Sequence, residues 1–271
     1  TLSYSESLVW TDEAKNKFDE YINDRMTKFQ GFDQWDVLNE PETVYQYRGR
    51  FGNKFAAEWF KSFAKNAGNS KAYVNSCAIS GFDDQDKSAQ RFADLISDLK
   101  ANGAEIDGGG IQCHLRGLIY PQSLYNQMDT VGKTVDEIMI TEFDLKTMTS
   151  ENLVKQEDEA QLESDLLRDI LIAVYSNPKA KGFYVWGICE RGQYASLGTI
   201  LDEDYNEKKT LDMWKELVMG QWRTKTSGKT NQNGKYTFKG HLGDYKIECS
   251  GVTVNASIAY GNTGEVTLKL D

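Results

Sequence analysis

The sequence predicts an α/β protein of parallel βαβ units, followed by a small antiparallel β module. Three observations predict it. Short apolar runs alternate with helix-length segments whose apolar residues recur every three or four positions, as in strand–crossover–strand folding. Each apolar run ends in polar residues, at the strand ends where such folds carry their chemistry. Beyond Trp222 the pattern turns to residue-by-residue alternation, and the charge inverts: residues 223–271 hold 7 Lys/Arg and 4 Asp/Glu, a net of +3, leaving −13 for residues 1–222 of a chain whose total is −10. A domain boundary is therefore expected there, giving 1–222 and 223–271.

Phe18, Ile22, Met26 and Phe29 make Glu13–Phe29 an amphipathic helix, with Gly31 placed for a left-handed cap. Trp35–Leu38 reads as a buried strand, Lys54–Ala67 as a helix and Ala72–Asn75 as a strand. Ala89–Ala101 is helical. Gly110–Cys113 is a strand, and the glycines Gly108–Gly110 read as a tight turn before it. Ile138–Thr141 is a strand, Gln161–Tyr175 a helix, Gly182–Gly187 a strand and Leu211–Val218 a helix. Helices then cover both faces of a sheet or the outside of a barrel. In the last segment Tyr236–Phe238, Tyr245–Glu248, Val252–Val254 and Val266–Leu270 read as strands, with turns at Asn233-Gly234, Gly243-Asp244 and Gly261-Asn262. Alternation puts Tyr236 and Phe238 on one face, where such a pair packs a core more readily than it binds sugar. A short joining stretch, Arg223–Gly228, and the opposed charges predict a structural module docked on the larger part.

Composition excludes several classes. With 271 residues and 12% aromatics the chain can bury a sizeable core. Apolar runs stop at four to six residues, too short to span a membrane, and with no basic cluster nucleic acid is not an expected partner. The four cysteines lack CxxC spacing, and no metal site or cofactor is predicted. The chain opens on Thr1 without a leader-like segment, which reads as a processed form or a fragment. Asn255-Ala256-Ser257 is a glycosylation sequon, meaningful in a secreted eukaryotic protein.

Two predicted strands end in a glutamate: WDVLNEP (Trp35–Pro41) in Asn39-Glu40, and IMITEFD (Ile138–Asp144) in Glu142. A carboxylate at the mouth of a parallel sheet is desolvated at a cost unless it is paired or used. Two facing each other suit glycosidic cleavage, which needs a proton donor and a nucleophile or base.

These residues, with GGGIQCH (Gly108–His114) and VWGI (Val185–Ile188) in the same order, resemble glycoside hydrolase family ten, whose best-known members are endo-β-1,4-xylanases; the C-terminal module looks like that of plant-type members. The resemblance implies a (β/α)8 TIM barrel of which strands four to eight lie in this chain. It implies Glu40 as general acid/base and Glu142 as nucleophile of a retaining double displacement, with carboxyls about 5–5.5 Å apart. Asn39 would bind the sugar 2-hydroxyl, Gln112 would lie near Glu40, and Trp186 would wall the sugar ring. His114 would hydrogen-bond Glu142, with Asp144 orienting the imidazole.

Departures bear on what the chain does. Where the family carries Asn-Asp/Glu-Tyr-Asn, this chain has Asn75-Ser76-Cys77-Ala78, so a tyrosine that shapes the sugar site is absent. Cys113 stands where glycine is usual. Cys77 and Cys113 would end neighbouring strands, which leaves open a disulfide or two free thiols. Strands one to three have no counterpart here, so the expected partners are a xylan-type polysaccharide and the missing N-terminal part of the barrel. An extracellular endo-xylanase is the leading expectation. A related β-glucanase or mannanase, and a non-catalytic glycan-binding or structural protein derived from the barrel, are the competing ones.

Overall fold

The computed structural model describes residues 11–29, 31–43, 45–79, 87–145, 155–192, 198–259, 261 and 265–269. The chain divides into two compact units, residues 1–210 and 211–271.

In the first unit, helix α1 (Asp12–Lys28) precedes strand β1 (Gln34–Asn39), and helix α2 (Tyr45–Asn66) leads to β2 (Lys71–Ser76). Helix α3 (Ser88–Ala101) leads to β3 (Gly108–Ile111) and β4 (His114–Leu115). Then come α4 (Pro121–Val131), β5 (Glu137–Leu145), α5 (Gln156–Ser176), β6 (Ala180–Val185) and α6 (Lys209–Glu216), which crosses into the second unit. All pairings in this sheet are parallel: β1 with β2, β2 with β3, both β3 and β4 with β5, and β5 with β6. With β3 and β4 taken as one interrupted strand, neighbours in space are successive in sequence, and a helix crosses each step. A doubly wound sheet reverses its strand order partway; this one does not.

The core lies between the strands and the helices. Phe55, Phe60 and Phe63 of α2, Phe92, Ile96 and Leu99 of α3, Leu124 and Met128 of α4, and Leu167 and Ile170 of α5 are buried, as are Val74, Ile111, Ile138 and Ile140 of the strands. Each such side chain contributes roughly 1.5–3 kcal/mol over exposure, so the helical stripes, more than helix propensity, hold the crossovers in place. At the first strand, Trp35 meets Phe29, Phe32 and Phe63 with ring centroids 6.0–6.5 Å apart. Gly31 has φ +92, as its capping position requires.

Two sequence readings are corrected here. The glycines Gly108–Gly110 are strand β3 itself, not a turn before it. A Cβ on Gly108 would come within 2.1 Å of the Tyr73 ring, and one on Gly110 within 2.5 Å of Asn75 Oδ1. Large polar and aromatic side chains of β2 occupy that space, and only glycine leaves it free. Helix α4, which the sequence reading left out, starts on Pro121 at its first turn and buries Leu124, Met128 and Val131 at helical spacing.

Among the described residues the second unit contains one hairpin, β7 (Gly243–Cys249) antiparallel to β8 (Val252–Ile258). Ser250 (φ 48) and Gly251 (φ 84) close it as a two-residue loop with both φ positive, which matches the right-handed strand twist. Gly243-Asp244 opens β7 instead of forming a turn. Residues 236–238 and 266–269 are not in strands, and residue 270 lies outside the described residues. Tyr236 instead stacks on Phe238, with centroids 6.2 Å apart, and its hydroxyl bonds Thr226. Its ring lies over Gly228, where a Cβ would come within 2.2 Å.

Candidate active site

Polar side chains converge at the carboxyl ends of β1 to β6. On β1 a register shift between Asp36 and Leu38 turns Leu38 into the core and leaves Asn39 beside Asn75 of β2. The backbone then kinks at Glu40 (φ 48), whose N–H continues the ladder to the Asn75 carbonyl at 2.8 Å. Both carboxylate oxygens of Glu40 receive donors: Gln112 Nε2 at 3.1 Å and Thr43 Oγ1 at 3.0 Å.

On β5 a second register shift, between Ile140 and Phe143, inserts an extra residue against β6. Bulges of this kind re-aim side chains. Thr141 and Glu142 both reach Asn75: Thr141 Oγ1 donates to Asn75 Oδ1 at 2.7 Å, and Asn75 Nδ2 donates to Glu142 Oε1 at 2.9 Å. Asn75 Nδ2 also donates to Asn39 Oδ1 at 2.9 Å.

His114 of β4 lies in register with Asp144 of β5. Its Nδ1 is 2.7 Å from Asp144 Oδ1 and its Nε2 is 3.3 Å from Glu142 Oε2. The hydrogen bond to Asp144, with the charges of both carboxylates, raises the imidazole above the usual histidine range against the opposing effect of burial. A charged imidazole between two carboxylates has a donor for each. The Trp186 indole, just past β6 and half exposed, stands edge-on to the His114 ring at 6.0 Å and 88°.

The structure therefore brings Asn39, Gln112, His114, Asp144 and Trp186 around Glu40 and Glu142. Besides Thr43 and Thr141, further residues that the sequence reading did not assign lie here, among them Asn75, Asp36 and Glu42. Asn75, fully buried, links both strand ends. Asp36 lies on β1 where the charge of Glu142 is felt; crowding by surrounding protein, then that charge, push its carboxyl up to about 6, although the residue keeps contact with water. Glu42 accepts a hydrogen bond from Ser76 Oγ at 2.5 Å and lies 3.9 Å from Cys77 Sγ. Burial, then Glu42 and Glu40, push the Cys77 thiol up to about 11. Cys77 and Cys113 are both free thiols, which decides the alternative left open above. Cys113, buried, takes a left-handed φ of 63 at the break between β3 and β4, a conformation that favours glycine. Among the described residues, no cluster of His, Cys, Asp and Glu could hold a metal ion, and no helix is long and apolar enough to cross a membrane.

Two strand ends of a parallel α/β scaffold thus carry carboxylates, each held by its own donors. Residues 3–217 match glycosyl hydrolase family 10, and the chain belongs to that family. It is 26% identical to endo-1,4-beta-xylanase 3 of Arabidopsis thaliana over 87% of this chain and 30% of that protein. It is also 26% identical to the anti-sigma-I factor RsgI6 of Acetivibrio thermocellus, over 90% of this chain and 30% of that one. The chain thus spans about three tenths of the length of these two relatives. Among solved structures, xylanase 10B from Thermotoga maritima superposes with a TM-score of 0.65 at 23% identity, covering 81% of this chain and 73% of that one. Xylanase 10B from Thermotoga petrophila RKU-1, solved in complex with xylobiose, gives 0.65 at 22% identity over 81% and 72%. These likenesses show the fold.

Proposed function

We propose that the chain carries the catalytic side of a retaining endo-β-1,4-glycanase acting on xylan-type polysaccharide outside the cell. The observation that supports this most is the pair of carboxylates at the ends of β1 and β5, joined through Asn75 and Asn39. Glu40 protonates the leaving glycosidic oxygen while Glu142 attacks the anomeric carbon, forming a glycosyl-enzyme ester as the C–O bond breaks. Glu40, now a carboxylate, takes a proton from water, which attacks the same carbon and releases Glu142. Asn39 binds the 2-hydroxyl as oxocarbenium character develops, and Gln112 holds Glu40 in place. His114, oriented by Asp144, fixes Glu142. Trp186 supplies an apolar face to the sugar ring.

In this reading β1, β2, β3 with β4, β5 and β6 are strands four to eight of an eight-stranded barrel. The first three would then be supplied by a separate segment or chain beside β1, whose one strand neighbour among the described residues is β2. Residues 1–222 then form the barrel part and 223–271 a separate β module.

A second reading, a β-glucanase or mannanase, is favoured by Cys77 in the place of a sugar-shaping tyrosine. Reducing-sugar release from xylan, mixed-linkage glucan and mannan, with Glu142→Gln as control, tests both. Xylan turnover that the variant abolishes supports the first reading. Preferred turnover of glucan or mannan supports the second, and retention on a xylan affinity gel without turnover of any polymer supports a non-catalytic binder.

A further inference from the structure

One buried ion cluster lies apart from these carboxylates. Lys208 Nζ is 2.7 Å from Glu163 Oε1 of α5 and 2.6 Å from Glu190 Oε1, in the segment after β6. It also donates to Thr199 Oγ1 at 3.3 Å. The Lys208 side chain is 11% exposed and that of Glu163 2%. Charges so deeply placed contribute little stability over an apolar cluster of the same volume; what they provide is fixed geometry.

That geometry leads to β5. Glu163 Oε1 also accepts the Gly198 N–H at 2.6 Å. Gly198 has φ +85, and a Cβ there would come within 3.0 Å of both Asp144 Cα and the Leu145 nitrogen. The Gly198 backbone therefore lies directly on the strand at Asp144. The other end of Asp144 is sparsely held: Oδ1 meets His114, while Oδ2 is buried without a hydrogen-bond partner among the described residues. Its aim depends on where its backbone sits.

We propose that Lys208 and Glu163 are positioning residues, which seat Gly198 on the backbone of Asp144 and so fix the Asp144 carboxylate against His114 and, through the imidazole, the orientation of Glu142. The consequence for turnover rests on the hydrolase reading. The seating itself does not, and its test needs no turnover.

Burial raises the Glu163 carboxyl, and the Lys208 ammonium opposes that rise, with the Gly198 N–H helping and Glu190 working against it. Removing the ammonium favours a neutral Glu163, whose hydrogen bond to Gly198 loses its charge assistance. Gly198 then lifts from β5, and Asp144 holds the His114 proton less well. The groups facing His114 are Asp144 and Glu142 from β5 and the Trp186 indole after β6.

The experiment is an NMR titration of the imidazole rings in the full chain. There are two histidines, His114 and His241, and His241→Gln assigns them. The His114 midpoint in the parent is expected above the ordinary histidine value. Lys208→Met and Gly198→Ala are expected to lower it by about half to one pH unit, while Lys208→Arg keeps it. Should Lys208→Met not fold, Glu163→Gln, which keeps an acceptor for Gly198 without the charge, is read in its place. An unmoved midpoint in folded Lys208→Met, its substitute Glu163→Gln, or Gly198→Ala overturns the proposal. So does an equal shift in Leu124→Ala, a core variant that loses stability away from the cluster. A failure to cleave glycans would leave the midpoints as they are, so the two readings fail separately.

Discussion

Asn75 Nδ2 donates a 2.9 Å hydrogen bond to Glu142 Oε1 from a fully buried position. The same nitrogen reaches Asn39, and Asn75 Oδ1 accepts from Thr141. One amide thereby sets the spacing of the two strand ends that carry Glu40 and Glu142. A hydrogen bond to a charged group is worth about 1.5–3 kcal/mol. Asn75→Ala is expected to lower kcat/KM on an aryl β-xylobioside by roughly 10- to 150-fold. Steady-state kinetics alongside a melting curve checks this; a folded variant with parental kinetics would remove Asn75 from the site.

Glu40, if it is the proton donor, matters in proportion to how badly the leaving group needs a proton. Glu40→Ala should lose about 10²–10⁴ in rate on xylan. It should lose much less on an aryl glycoside whose phenol leaves unaided, and added azide should rescue the second step. Equal losses on both substrates would assign the donor elsewhere.

The raised pKa of His114 has a stability consequence with a definite sign. The folded state binds the proton more tightly than the unfolded chain, so this contribution is complete below the ordinary value of about 6.5 and fades as pH rises through the raised folded value. The difference in Tm between parent and His114→Asn should therefore be largest near pH 5–6 and shrink towards pH 9. A gap that widens with pH would reverse the assignment of the charged imidazole.

Gly110 is not strained; it is crowded. A Cβ there would meet Asn75 Oδ1 at 2.5 Å and Thr141 Cγ2 at 3.1 Å. Gly110→Ala should cost about 1–3 kcal/mol by overpacking and should also displace Asn75 from Glu142. Denaturant melts and kinetics on the same preparation check both; loss of stability with unchanged kinetics would mean that Asn75 stays in place.

Much of the scaffold was legible because its signals are local. The stripe Phe92–Ile96–Leu99 spells out α3, and the polar ends of WDVLN and IMITE point to the strand mouths. What escaped depended on distant partners. Asn75 bonds Asn39 and Glu142 across 36 and 67 residues, so in sequence it is one more polar residue at the end of a strand. The run Gly108–Gly110 reads as a turn until the Tyr73 ring and the Asn75 side chain are known to lie over it. Helix α4 was readable, since Pro121, Leu124, Met128 and Val131 have helical spacing, but it follows an irregular stretch that masks its start. In the second unit, alternation over Tyr236–Phe238 marked a stacked aromatic pair packed on glycine backbone, and not a paired strand.

The central claim, that Glu142 is the nucleophile of a retaining glycanase, is tested most directly by trapping. Incubation with a 2-deoxy-2-fluoro-xylobioside bearing a good leaving group slows the second step and lets the glycosyl-enzyme accumulate. Intact mass and peptide mapping should then show one fluoroxylobiosyl ester, on Glu142, absent from Glu142→Gln. An ester on another residue, or turnover of the substrate with no covalent species and inverted product configuration, would contradict the account.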